Sequence, residues 1–224
     1  MSDKFTKISV LVPTRMRLKQ LELFILSYLE TTRGAETSSE LVFRVDEDDK
    51  ESQRFIQATD YQVLIGPRYR GYESLPQFFN ELTHVATGDV FMLGNDDVRF
   101  VTPGWAPKIL TRANTFPDGL FNIGVKTHNE SHFPLSIVSR KAVNRLGFIY
   151  DPRIFWGDIF LRDVMSRLGR NVMLPEVEIQ HVWAGFDPDK TFIEGEGARR
   201  SNWMTHHVQA VDEAESKLKG LLAA

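Results

Sequence analysis

Along the amino-terminal half of the chain, short apolar runs of strand length alternate with segments whose apolar residues recur at helical spacing. Ile8-Ser9-Val10-Leu11-Val12 is a β-branched run stopped by Pro13-Thr14-Arg15. Leu18, Leu21, Ile25, Tyr28 and Leu29 then mark one face of a helix, with Gly34 just past its last turn. A second strand, Leu41 to Val45, runs into Asp46-Glu47-Asp48-Asp49, which reads as an acidic turn, and a third, Gln62 to Ile65, leads to Gly66-Pro67-Arg68. Leu75, Phe78, Phe79 and Leu82 form another amphipathic helix. Thr87-Gly88-Asp89 closes it before the strand Val90-Phe91-Met92-Leu93, which ends in Gly94-Asn95-Asp96-Asp97. This β-α-β-β-α-β order predicts a Rossmann-like α/β sandwich. Its central sheet is expected to be mostly parallel and flanked by helices, with ligands at the carboxyl ends of the strands.

The second half is less regular. Ser136 to Val138 and Val177 to Gln180 read as short strands, and Leu161, Val164, Met165 and Leu168 as a helix face ended by Gly169. Beyond Gly185, Asp187-Pro188-Asp189-Lys190 and Glu194 to Arg200 predict a mobile polar loop, followed by a terminal helix from Val208 to Leu222. The expected organisation is one domain over 1–185, divided into halves at about residue 100, with 186–224 as loop and helix. There is no internal repeat.

Composition narrows the classes. With 224 residues and 42% hydrophobic content the chain can bury a real core. The balance of 27 basic against 30 acidic residues, a formal charge of -3, argues against a general polyanion-binding surface. Local basic clusters exist, namely Arg140 with Lys141, Arg167 with Arg170, and Arg199 with Arg200. The absence of cysteine removes disulfides and thiolate metal sites. No apolar stretch approaches the roughly 18 to 20 residues of a membrane span, and Met1-Ser2-Asp3-Lys4 does not open a signal peptide. The expectation is a soluble, cytoplasmic chain without integral membrane association.

Candidate chemistry starts at Asp96 and Asp97. Carboxylates at the end of a buried strand can hold a divalent cation through hard oxygen ligands, and such a cation can neutralise nucleotide phosphates. Asp and Asn are equally at home in a solvated turn, and the segment alone leaves both readings open.

The order of motifs resembles family-2 glycosyltransferases of the GT-A fold, including compact members found in bacteriophages. The run Ile8 to Arg15, the Val45-Asp46 strand end, the approach Thr87-Gly88-Asp89-Val90 to Asn95-Asp96-Asp97, Pro103-Gly104-Trp105, Trp156-Gly157-Asp158 and Gln180-His181 carry that resemblance up to about Gly185. It implies that 1–100 binds a nucleotide sugar and 101–185 serves acceptor and catalysis. Pro13, Thr14 and Arg15 match a nucleotide-contacting loop. Asp46 matches the position that accepts from an N–H of the base, with a UDP-sugar favoured. Arg68 would meet ribose or phosphate.

Asp97 matches the ligand of Mn2+ or Mg2+, Asp96 its neighbour toward the sugar, and His181 a further metal ligand. Asn95 departs from the usual acidic first position, and Gly157 replaces one carboxylate of a Glu-Asp pair. Asp158 is then the catalytic base of an inverting transfer, placed by sequence at a helix start where the dipole favours its ionised form. Trp156 and Trp183 are candidate stacking platforms, Trp105 a core or acceptor-wall residue, and Arg199 and Arg200 a lid over the diphosphate. His206 and His207 read as surface residues.

The implied acceptor is a saccharide hydroxyl. The alternative is a hydroxymethylated base in phage DNA, which would place the enzyme in the host cytoplasm. Two other classes stay open. One is a nucleotide-sugar-binding module that has lost catalysis. The other is a nucleotidyltransferase, against which stands the lack of a Gly-rich phosphate loop after the first strand.

Overall fold

The computed structural model describes residues 4–69, 74–127, 133–154, 156–182 and 203–222. Eight strands form one curled sheet in the order β3-β2-β1-β4-β7-β6-β8-β5. They are β1 (Ile8–Thr14), β2 (Ser39–Asp46), β3 (Gln62–Gly66), β4 (Val90–Leu93), β5 (Val98–Phe100), β6 (Asn122–Lys126), β7 (Ile137–Ser139) and β8 (Asn171–His181). The helices are α1 (Leu18–Thr32), α2 (Lys50–Gln57), α3 (Leu75–Val85), α4 (Trp105–Ala113), α5 (Arg140–Leu146), α6 (Gly157–Arg167) and α7 (Trp203–Leu222).

Alternate residues of β1 explain why apolar side chains occupy both of its faces. Ile8, Val10 and Val12 face a core shared with Phe24, Ile25 and Tyr28 of α1 and with Trp105 of α4, while Leu11 faces a second core with Phe79 of α3, Phe160 and Val164 of α6 and Ala210 of α7. A strand covered on both sides needs no polar face. In the first core Trp105 is fully buried and stacked on Phe100, 4.8 Å between ring centres, so it is a packing residue with no wall exposed to an acceptor.

The expected mostly parallel sheet is instead mixed. β2 with β1, β1 with β4, β2 with β3 and β6 with β8 pair in parallel, whereas β4 with β7, β6 with β7 and β5 with β8 pair antiparallel. The reason is connectivity. A helix crosses over between each pair of successive strands from β1 to β4, which keeps them parallel, but the chain turns straight from β4 into β5, which reverses direction, and β6 meets β7 antiparallel with no helix among the described residues between them. Apolar periodicity reports burial and says nothing about strand direction.

Smaller differences have similar causes. Leu29 is 49% exposed, because the apolar stripe of α1 is wider than the face it buries. The acidic turn at Glu47-Asp48-Asp49 is the start of α2, whose Asp49 side chain accepts from Ser52 N as an N-cap. β8 extends well before Val177. His207 is buried on α7, with Nε2 2.8 Å from Asp163 Oδ2 of α6, and is not a surface residue; His206 is exposed. Among the described residues no helix is long and apolar enough to cross a membrane.

Candidate functional site

The sheet directions bring one set of loops to one edge. β1, β2, β3 and β4 end there, as do β6 and β8, while β5 begins there: Val98 is paired with His181. α6 packs on β6 and β8 and leads through Gly169 and Arg170 into the start of β8, so it runs back against that strand. Its first residues, Gly157 and Asp158, therefore lie toward the same edge as His181. That edge gathers Thr14, Asp46, the Asp96-Asp97 turn, His181 and the Asp158 helix start.

Four consecutive residues, from Thr14 at the end of β1 to Arg17 just before α1, are pinned by carboxylates from other elements. Thr14 Oγ1 donates to Asp96 Oδ2 at 2.7 Å. Arg15 donates to Asp46 Oδ2 at 3.0 Å and to both oxygens of Asp48. The backbone N–H of Met16 donates to Asp49 Oδ2 at 2.6 Å. Arg17 reaches Asp96 Oδ1 at 2.8 Å and Asp97 Oδ2 at 3.3 Å. Met16 sits at φ 51°, a left-handed conformation that a residue with a Cβ adopts at a cost of about 1 kcal/mol or more. The bonds on either side hold it there and leave its side chain exposed. Pro13 precedes the loop inside β1 and contributes its place in the strand.

Asp46 is almost fully buried at 3% exposure, with Oδ1 bound by the buried Arg44 and Oδ2 by Arg15. Arg44 also donates to the Pro67 carbonyl and to Glu81, and its guanidinium lies 4.3 Å from the centre of the Phe78 ring. Asp48 is more exposed, and its hydrogen bonds from Arg15 hold its carboxyl below the usual range while raising the guanidinium. Arg68 approaches the same Asp48 at 3.8 Å. Arginine and carboxylate thus alternate along the β2 and β3 ends from the interior outward.

The turn after β4 begins at Gly94, whose N–H donates to Leu11 O; a Cβ there would stand 2.8 Å from a Val10 methyl, so only glycine lets the two strands approach this closely. Asn95 supplies the turn's first carbonyl, which accepts from Val98 N. Asp96 points inward to Thr14 and Arg17. Asp97 is partly exposed, and its main-chain carbonyl accepts from Val182 N, which ties the end of β8 to the turn. Arg99 braces the turn from below by donating to the carbonyls of Asp96 and Val98.

The fit of this turn to a divalent cation rests on one atom. Asp97 Oδ1 is buried and receives no well-aligned hydrogen bond among the described residues, yet it lies 3.2 Å from His181 Nε2. Two ligands cis to each other on an octahedral ion, each about 2.1 Å from it, stand about 3 Å apart. A carboxylate and an imidazole together form a mixed donor pair, which suits a borderline divalent ion better than a purely hard-oxygen one. Burial pushes the Asp97 carboxyl up, and His181 and Arg17 more than offset this, leaving it below the ordinary value and ready to act as an anion. Among the described residues no group of three His, Cys, Asp or Glu side chains could hold a metal. Asp97 and His181 are thus the two side chains of this turn placed to touch one ion, and any such ion would need its remaining ligands from elsewhere.

Asp158 lies in the first turn of α6 and is partly exposed, and Trp156 immediately precedes that helix, also partly exposed. Gly157 between them is packed on the Tyr150 ring: a Cβ would come within 2.6 Å of it. Trp183, Arg199, Arg200 and the expected polar loop lie outside the described residues.

The arginines of two basic clusters are committed elsewhere. Arg140 donates to the carbonyls of Gly88, Thr83 and Ala86, Arg170 is paired with Asp118, and Arg167 with Asp212 and Glu215. Sequence reasoning missed Arg17, Arg44 and Arg99. Arg17 follows two residues after Arg15, and the only signal was an unexplained second arginine in the loop. Arg44 was hidden inside a strand that otherwise reads as apolar.

No protein-family model matches the chain, and no curated protein matches it in sequence. Solved structures match its fold. Mannosyltransferase PcManGT from Pyrobaculum calidifontis, solved in complex with GDP-Man and Mn2+, superimposes with a TM-score of 0.66 at 14% identity, covering 99% of this chain and 75% of that one. S. aureus TarS superimposes with a TM-score of 0.64 at 12% identity over 97% of this chain, which spans 42% of TarS. The chain has the mixed α/β fold of a glycosyltransferase of known structure.

Proposed function

We propose that the chain is a divalent-cation-assisted glycosyltransferase that moves a sugar from a nucleoside diphosphate sugar to a hydroxyl acceptor with inversion. The observation that carries this reading is the buried Asp97 Oδ1 standing 3.2 Å from His181 Nε2 at the edge where the Asp158 helix start also lies. The fold shared with an enzyme solved with GDP-Man and Mn2+ supports it.

In this reading Asp97 and His181 hold the cation, which when bound draws charge from the departing diphosphate. The Thr14-to-Arg17 loop and Arg68 surround the nucleotide. Asp46, fixed by Arg44, offers an acceptor to a base N–H once Arg15 turns toward phosphate; uracil is favoured, and guanine presents a comparable N–H. Asn95 and Asp96 shape the turn beneath the sugar, and Trp156 offers a ring at the acceptor side. Asp158 accepts the proton of the acceptor hydroxyl as its oxygen bonds to the anomeric carbon, on the face opposite the breaking bond to diphosphate. A saccharide acceptor is favoured over phage DNA because the arginines of two basic clusters are already bound to carbonyls or carboxylates.

The test is calorimetric titration of UDP and GDP with Mn2+ and with chelator. One of the two should bind with Mn2+ at least roughly tenfold more tightly than in chelator, and Asp97→Ala should abolish that difference. Equal affinity for wild type and Asp97→Ala in both conditions would sink the assignment. Product analysis with the confirmed donor, offering saccharides and hydroxymethylated DNA, decides the acceptor.

A further inference from the structure

Arg17 contacts both carboxylates of the β4–β5 turn, and the two contacts are unequal. The bond to Asp96 is 2.8 Å long and its carboxylate is 4% exposed, with the other oxygen taken by Thr14. The bond to Asp97 is 3.3 Å long and its carboxylate is 18% exposed. Asp96 is therefore a fixed seat, and Asp97 is the partner that Arg17 can release. A clasp serving stability alone would be expected to satisfy Asp97 completely, yet among the described residues its Oδ1 has no well-aligned donor and faces His181 Nε2 at 3.2 Å.

We propose that Arg17 is a resident cation of this site, holding Asp97 while no donor is present, disfavouring uptake of a free divalent ion, and passing to the donor diphosphate when donor and ion arrive together. This rests on the glycosyltransferase reading and adds an order of loading to it. With Arg17 on Asp97, an ion entering between Asp97 and His181 meets a guanidinium already neutralising the same carboxylate, and the two cations repel. A diphosphate brings enough negative charge for both. A guanidinium has a planar fork that matches phosphate as well as carboxylate, so exchanging one for the other sacrifices little geometry. The receiving place is favourable to an anion on separate grounds: Arg17 stands at the start of the 15-residue α1, which has neither an acidic residue in its first turn nor a side-chain cap.

The experiment measures binding of Mn2+ alone, and of UDP and GDP with Mn2+ or chelator, to wild type, Arg17→Gln, Arg17→Lys and Arg99→Gln, each checked by thermal melting. Arg17→Gln should bind Mn2+ alone roughly ten- to hundredfold more tightly than wild type and the nucleotide with Mn2+ more weakly by a similar factor. Arg17→Lys, whose ammonium lacks the fork, should fall between the two. If Arg17→Gln does not fold, a severalfold gain in Mn2+ affinity in Arg17→Lys is required instead. Arg99→Gln removes the same charge beside the turn from a side chain bonded to carbonyls, and should change Mn2+ affinity less than about threefold.

Unchanged or weaker Mn2+ binding in Arg17→Gln overturns the proposal. An equal gain in Arg99→Gln also overturns it, by reducing the effect to a general field. Wild type binding nucleotide as tightly in chelator as in Mn2+ overturns it too, since Arg17 would then replace the ion permanently. A wild type that takes up no nucleotide under any condition retires the glycosyltransferase reading and the transfer to diphosphate, whereas the Mn2+ gain in Arg17→Gln reports separately on whether Arg17 occupies the ion's place.

Discussion

The two edges of the sheet carry similar residues and use them in opposite ways. At the amino edge, Glu40 accepts from Ser9, from the backbone and hydroxyl of Thr87, and from Lys7, while Ser9 in turn accepts from Gly88 N. Arg140 spends its guanidinium on the carbonyls at the end of α3 and lies 4.5 Å from the centre of the Phe91 ring. That network joins the starts of β1, β2 and β4 and is closed upon itself. At the carboxyl edge, arginines bridge carboxylates on different loops, Met16 is held at positive φ, and Asp97 Oδ1 has no well-aligned donor among the described residues. Closed networks add stability, whereas an edge with strain and an acceptor lacking a well-aligned donor has contacts left to make with a ligand.

The sharpest way to break this contrast is at Asp158. Under the proposed mechanism Asp158→Asn retains size and hydrogen bonding but cannot take a proton. Turnover should fall by roughly two to four orders of magnitude while donor affinity and melting temperature stay near wild type. Near wild-type turnover, with a confirmed donor and acceptor, would move the base elsewhere.

The mirror experiment at the amino edge is Glu40→Ala, which leaves Lys7, Ser9 and the Thr87 N–H without their acceptor. It should lower unfolding free energy by about 2 kcal/mol in denaturant titration and leave Mn2+ and nucleotide affinity unchanged. Lost nucleotide binding in a folded Glu40→Ala would show that the edges are not independent.

The smallest effect is the pH dependence of the same group. Burial pushes the Glu40 carboxyl up, but its bonds from Lys7, Ser9 and Thr87 outweigh this and take it from 4.5 to about 2. A carboxyl depressed in the folded state contributes stability that is present above its unfolded value and disappears as pH falls toward the folded one. Melting temperature should therefore decline between about pH 4.5 and 2, with a shallower decline in Glu40→Gln. Identical slopes for the two proteins would remove Glu40 from the account.

The elements that could be read from the sequence were those whose signal is local. β1, α1, α3 and β4 combine apolar periodicity with a terminator, and each is found where expected, except that β1 runs on through Pro13 and Thr14, read as its stop, because both continue the pairing with β2. β5 is three residues long, and α5 is seven, too short for periodicity to register. Antiparallel pairing of β7 depends on which strand it meets, a property of the whole chain. At the site, Asp97 and His181 were singled out separately by their strand ends, and the structure brings them together. Arg44 and Arg17 escaped notice because each is intelligible only through its partners, and beyond the neighbouring Asp46 of Arg44 these are distant in sequence: Glu81 for one, Asp96 for the other.

The contact between Gly157 and Tyr150 limits which variants of this chain can be reached one change at a time. A side chain at 157 would run into the Tyr150 ring, so placing a carboxylate there beside Asp158 is blocked while the tyrosine remains. Tyr150 cannot simply be trimmed either, because its ring packs on Phe79, 6.0 Å between centres, in the core beneath α3. The two positions form a ratchet: each residue is tolerable because of the other, and a library that samples them singly would record both as immutable, whereas one that samples them jointly would open a second carboxylate beside Asp158.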